Sequence, residues 1–255
     1  MSLSILFVAT LVFTRLSGMF MAMPVFGSAM FPFIARLLLM LGITMAMLPS
    51  VSHITMELDF ATLAIALCKE FMIGLSMGFV VNIAYLGLLT GTEMMSTQIG
   101  QAAAKQFNPG MQMSQSPIGG MAVLLSLTVF LGENLHLTMI ELLAESFIRL
   151  PPLEIGNPIL PATIWIDRSK IIFVMAIQIA APILVFVFLN NCFLGVLSRL
   201  AQSMNVFFSV GFQVSMMVGL TLFTFLLPSY FEYVTQHAVD GIKLIPDILS
   251  LAAGE

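Results

Sequence analysis

The run from Phe60 to Met95 sets the first limit on the fold. It is apolar along almost its whole length. As one helix, at about 1.5 Å per residue, it would be roughly 50 Å long. The hydrocarbon core of a bilayer is about 30 Å thick. The rest of the chain leaves little room for a water-soluble alternative. Of its 255 residues 59% are hydrophobic and 9% charged, and the mean hydropathy is +1.05. A soluble domain carries about a quarter charged residues. So little charge cannot clothe a water-facing surface, so the faces of this chain must be covered by lipid, by partner proteins or by both.

The other apolar runs follow the same pattern. They are Ser2 to Met23, Ile34 to Leu48, Ile118 to Leu131, Ile171 to Leu189 and Val206 to Leu227. The expected fold is all-α: about six apolar helical segments plus amphipathic helices, packed as membrane-associated hairpins. The first run has no basic residue before Arg15, whereas a signal peptide puts positive charge ahead of its apolar stretch, so this run reads as retained. Glu133 to Arg149 differs from the others. Thr138, Glu141, Glu145 and Arg149 step by three, four and four, a polar stripe on a helix, with Leu135, Ile140, Leu143 and Phe147 away from it. Glu145 precedes Arg149 in the favourable order for an ion pair. The residues from Ser229 onward are mixed.

Charge excludes some functions. The net charge is −4 and the basic residues are scattered, so no nucleic-acid surface is expected. Cys68 and Cys192 lie in apolar runs and read as small core residues, not a disulfide. His53, His136 and His237 show no metal-ligand spacing, and no cofactor or metal is expected. With six spans, Arg36, Lys105 and Arg199 fall on one side and Arg149, Arg168, Lys170 and Lys243 on the other. That balance does not choose an orientation, which points to helices not laid out as ordinary spans.

Three features inside the runs carry candidate chemistry. Arg15, Lys69 and Glu70 are charges in apolar segments, where a charge is costly unless paired or hydrated. With Arg199 they read as partners for charges on neighbouring subunits; a transporter would instead use Lys69 or Glu70 as a coupling site. "GLSMG", Gly74 to Gly78, matches the serine-hydrolase elbow in letters, but that motif needs a strand-to-helix turn and Ser76 sits in mid-run. The same residues read better as small-residue packing, Gly74 with Gly78 and Gly87 with Gly91. Gly78 and Gly87 are half a turn out of phase, so the two pairs face opposite ways. The third feature is the polar segment "KQFNPGMQMSQSPIGG", Lys105 to Gly120, rich in amide side chains, glycine and proline, with Met111 and Met113 as soft apolar contacts.

Four stretches together resemble the FliR family of flagellar export-gate membrane proteins and their injectisome relatives. They are "RLSGMFMAMPVFG" (Arg15 to Gly27), "KEFMIGLSMGF" (Lys69 to Phe79), "GQAAAKQFNPG" (Gly100 to Gly110) and "LSRLAQSMNVFFSVGFQVSMMVGL" (Leu197 to Leu220). Gln202 stands where the family often has proline. The resemblance implies a non-enzymatic core subunit of a type III export gate in the bacterial inner membrane, multi-pass, at the flagellar basal body. It implies P-type and Q-type gate subunits and a B-type export switch protein as partners, and unfolded proteins as cargo. Residues 1–165 would resemble the P-type subunit and 166–255 the Q-type. The loop Gln106 to Gly119, with Gln106, Phe107, Asn108, Pro109, Gly110, Met111, Gln112 and Met113, would plug the channel. Two rivals from other classes remain: a secondary transporter using Lys69 and Glu70 with a helix broken at Pro182, and an intramembrane hydrolase at Ser76.

Overall fold

The computed structural model describes residues 2–27, 31–51, 60–101, 116–152, 160–200 and 211–253. Among these residues every regular element is a helix: α1 Ser2–Ala22, α2 Phe33–Val51, α3 Phe60–Ile99, α4 Pro117–Gly132, α5 Leu135–Arg149, α6 Leu160–Leu200, α7 Phe212–Lys243 and α8 Ile245–Ala253. Each apolar run of the sequence is one of them. Four stretches are long and apolar enough to cross a membrane, Ile5–Ala22, Thr62–Ile99, Arg168–Arg199 and Gln213–Asp247. The α4–α5 pair makes a fifth if counted as one bent span.

Where the helices stop is set locally. α3 ends at Gly100, whose φ of 93° is a left-handed conformation that glycine takes without strain. α4 and α5 meet at 59° across Glu133 and Asn134. Asn134 takes φ 54° and ψ 24°, a region asparagine tolerates better than most residues. Two helices run further than the apolar runs suggested. α6 begins at Leu160, ahead of Ile171, and continues past Leu189 to Leu200. α7 passes through Pro228 and ends at Lys243. Polar residues at a helix end do not stop a backbone ladder, and a proline in a membrane helix is tolerated when neighbours satisfy the freed carbonyls.

The chain forms two compact units, and they are not its two halves. The first is Met1–Ala84, Phe130–Lys170 and Gln236–Glu255; the second is Tyr85–Val129 and Ile171–Thr235. In the first, α1 packs beside α2, and α5 packs on α8. Its centre holds Leu11, Leu16, Met19, Phe20, Met23 and Met77, all essentially inaccessible. Phe20 stacks on Phe26 with centroids 4.5 Å apart, and Phe130 meets Phe26 edge-on. In the second, α6 and α7 run antiparallel. Asn190 donates to Ser215 at 2.7 Å, while Tyr230 donates to the Ile179 carbonyl at 2.9 Å. Ile179 lies next to Gln178, whose carbonyl loses its ladder donor to Pro182, so the bond braces the helix beside that gap. α6 therefore continues through Pro182, and the broken helix that a transporter reading needs there is not formed.

Candidate functional site

In the first unit the candidate residues gather where α1 crosses α3. The crossing is backbone on backbone. A Cβ on Gly74 would stand 1.8 Å from the Arg15 carbonyl oxygen, one on Gly78 2.4 Å from that of Met19, and one on Gly18 2.3 Å from that of Phe71. No side chain larger than hydrogen fits at any of the three positions.

That closeness brings Arg15 and Glu70 together. Arg15 is fully buried and Glu70 is 3% exposed. The Arg15 Nε donates to Glu70 Oε2 at 2.5 Å. Its two other nitrogens turn to the end of α5: Nη1 donates to the Ser146 carbonyl and hydroxyl, and Nη2 to the Leu150 carbonyl, each at 3.0 Å. The Ser146 carbonyl also accepts the Leu150 N–H at 2.9 Å, whereas Pro151 and Pro152 end the helix after Leu150, so the Leu150 carbonyl gets no donor from a continuing helix. A positive group at the negative end of a helix is also favourable. The guanidinium carbon stands 4.2 Å over the Phe147 ring, a cation–π contact. One planar fork thus joins α1, α3 and α5.

This corrects one expectation. Arg15 and Glu70, expected to pair with charges on neighbouring subunits, pair with each other inside the chain. They are 55 residues apart, and sequence spacing cannot show that contact. Lys69 is half-buried on another side of α3 and Arg199 is exposed on α6. Neither makes an ion pair among the described residues. Cys68 and Cys192 are free thiols, exposed rather than in the core. Ser76 is 2% exposed and its hydroxyl donates to the Met72 carbonyl one turn back at 2.7 Å, so it is occupied within α3. On α5 the buried residues are Leu135, Met139, Leu142, Leu143, Ser146 and Phe147. Arg149 and Glu145 pair at 2.7 Å on the exposed side.

In the second unit Gly87 and Gly91 face α6. A Cβ on Gly87 would lie 2.8 Å from the Met175 Cβ, and one on Gly91 2.9 Å from the Ala176 carbonyl oxygen. The end of α3 holds a residue that the sequence reading passed over. Glu93 Oε1 accepts the Ser116 backbone N–H at 2.9 Å and the Ser116 hydroxyl at 3.0 Å. One turn along α3, the Ser96 hydroxyl donates to the Gln101 side-chain oxygen at 3.2 Å. The signal for Glu93 was a carboxylate in a long apolar run; its partner lies 23 residues later. Gln106, Phe107, Asn108, Pro109, Gly110, Met111, Gln112 and Met113, the expected plug residues, lie outside the described residues.

Long apolar helices, a backbone-tight crossing and a buried ion pair define a helical, multi-pass membrane protein. The family comparison makes this specific. Residues 6–240 match the model for bacterial export proteins, family 1, and the chain belongs to that family. It is similar to flagellar biosynthetic protein FliR of Escherichia coli (strain K12), 26% identical over 240 residues, covering 92% of this chain and 90% of that protein. It is also similar to Yop proteins translocation protein T of Yersinia pestis, 29% identical over 200 residues, covering 76% of this chain and 74% of that protein. FliR of Pectobacterium carotovorum subsp. carotovorum is 30% identical over 186 residues, covering 72% of this chain and 70% of that protein.

Proposed function

We propose that this protein is a non-enzymatic core subunit of the flagellar type III protein export gate, forming part of the channel that passes unfolded flagellar proteins across the inner membrane. The observation that carries the reading is the extent of the likeness to the Escherichia coli flagellar protein, 92% of this chain. The Yersinia translocation protein is similar over 76% of the chain, so the reading takes the flagellar system from the Escherichia coli likeness and leaves the injectisome as its neighbouring case. In this reading residues 1–165 correspond to a P-type gate subunit and 166–255 to a Q-type. Its partners are separate P-type and Q-type subunits and a B-type switch protein. The loop expected from Gln106 to Gly119, whose last three residues are instead the first turn of α4, plugs the resting channel, polar because it lines a wet passage, with Met111 and Met113 as a deformable seal.

The rival chemistries lose their footing in the geometry. A coupling carboxylate must be open to the ion it carries, and Glu70 is 3% exposed and bonded to Arg15. A nucleophilic serine needs a base, and the Ser76 hydroxyl bonds its own helix.

Copurification in mild detergent tests the reading. The complex should contain other apolar gate subunits, and the chain alone in liposomes should take up no small solute. Uptake by the chain alone would favour a transporter. A deletion within Pro109 to Gln115, which spares Ser116 at the start of α4, should leave the complex intact and make resting cells leak small molecules. An intact complex with no leak would leave the loop a plain connection.

A further inference from the structure

The start of α4 is incomplete by itself. Ser116 is its N-cap residue and Pro117 its first helical residue, an arrangement that suits a helix start. The Ser116 hydroxyl oxygen accepts the Gly119 N–H at 3.0 Å, which is half of a capping box. The other half requires an acidic or amide side chain at the third helical position, reaching back to the N-cap backbone N–H. That position is Gly119, which has no side chain. Glu93 of α3 fills the role from a different helix, accepting the Ser116 N–H at 2.9 Å. The glycine makes the space: a Cβ on Gly119 would stand 2.3 Å from Glu93 Oε1. Ser116 is 2% exposed, so water does not replace the carboxylate easily.

The other side of the same segment is tied to the same helix. Gln101, 5% exposed, is held by Ser96, 1% exposed. Glu93 and Ser96 are three residues apart and share one face of α3. Residues 101 and 116 are therefore both secured within one turn of α3.

We infer that Glu93 is a positioning residue: it completes the α4 capping box across helices and so fixes where segment 102–115 joins α4. Its consequence for the channel rests on the plug reading given above. Gly119→Ala should displace the carboxylate without removing it and so act like Glu93→Ala. Glu93→Gln keeps a carbonyl oxygen that can accept from Ser116, and it should stay close to the parent.

The test uses the purified complex with Cys68 and Cys192 replaced by alanine and a cysteine introduced by Gln115→Cys, beside the cap. Glu93→Ala and Gly119→Ala should each raise its labelling by a small maleimide on the order of tenfold, the ratio expected for one lost hydrogen bond to a charged group. Glu93→Gln should raise it little, and the Glu93→Ala/Gly119→Ala double variant no more than either single one. Should Glu93→Ala fail to assemble, Gly119→Ala asks the same question with the carboxylate retained. Labelling unchanged by both variants would overturn the inference. Leak is measured beside it. Faster labelling with a leak in both the variants and the loop deletion supports the anchor and the plug together. Faster labelling with no leak from the deletion keeps the anchor and rejects the plug.

Discussion

Arg15→Ala is the perturbation with the largest effect that the structure defines. The substitution leaves Glu70, at 3% exposure, with its charge and without its guanidinium. It also takes the Arg15 donor from the Leu150 carbonyl, while the Ser146 carbonyl keeps the Leu150 N–H. Removing one member of a buried pair costs about 3–5 kcal/mol, because the other charge stays buried. At about 1.4 kcal/mol per factor of ten, that is a change on the order of 10²–10³ in the folded population. Glu70→Ala should cost a similar amount, since Arg15 then keeps its carbonyl partners but not its counter-charge. Arg15→Lys should resemble Arg15→Ala more than the parent, because one ammonium cannot reach four acceptors spread around a planar fork. The informative variant is Arg15→Met with Glu70→Met, which removes both charges and keeps apolar volume. A buried pair replaced this way is often neutral, so the double variant should retain only the loss at the end of α5, chiefly at the Leu150 carbonyl, about 1 kcal/mol. The assay is the yield and half-loss temperature of the detergent-purified complex for both single variants and the double. A double variant no better than the worse single one would refute the coupling. So would a parent-like yield from Arg15→Ala.

Alanine at Gly74 or Gly78 should lower complex yield strongly, because each new Cβ would meet α1 backbone rather than a movable side chain. Alanine at Gly87 should lower yield too, though less than at Gly74, because its Cβ would stand 2.8 Å from the Met175 Cβ against 1.8 Å from the Arg15 carbonyl oxygen. Gly42→Ala, with nothing within 4 Å of the new carbon, should be neutral or stabilising by up to about 1 kcal/mol, read by the same half-loss temperature. Tyr230→Phe should cost about 1 kcal/mol by removing the hydroxyl's bond to the Ile179 carbonyl, visible as a lowered half-loss temperature. Arg149→Ala should change that temperature little, because its pair with Glu145 is exposed and worth about 0.5 kcal/mol at most.

The helices were legible because an apolar run long enough to span a bilayer has few other folds open to it. Their ends were not. Asp167 to Lys170 read as a connection, yet a helix carries such residues once its ladder is started, and α6 begins before them. The faces of α3 could be read from the phase of its glycines, but which helix each face meets is a tertiary fact. Charge was legible as position and not as pairing: Arg15 and Glu70 were visible as costly residues, and their partners lay across the fold. Glu93 escaped notice for a related reason. A carboxylate near a helix end looks like ordinary polarity until the helix start it completes is set beside it.

The interleaved units have a consequence in time. Residues 236–255 belong to the first unit, where Gly241 approaches the Val80 backbone and α8 lies on α5. Ala84, the end of that unit's first segment, is synthesised about 150 residues before Gln236. At roughly 5–20 residues per second, the ribosome needs on the order of 10–30 s to deliver the last wall. During that interval α1 and α3 can already meet through glycine, but the surfaces waiting for α7 and α8 are open to lipid, to chaperones or to another subunit. The order of synthesis thus leaves an assembly window, in which a partner arriving early competes with the chain's own final helices for the same faces.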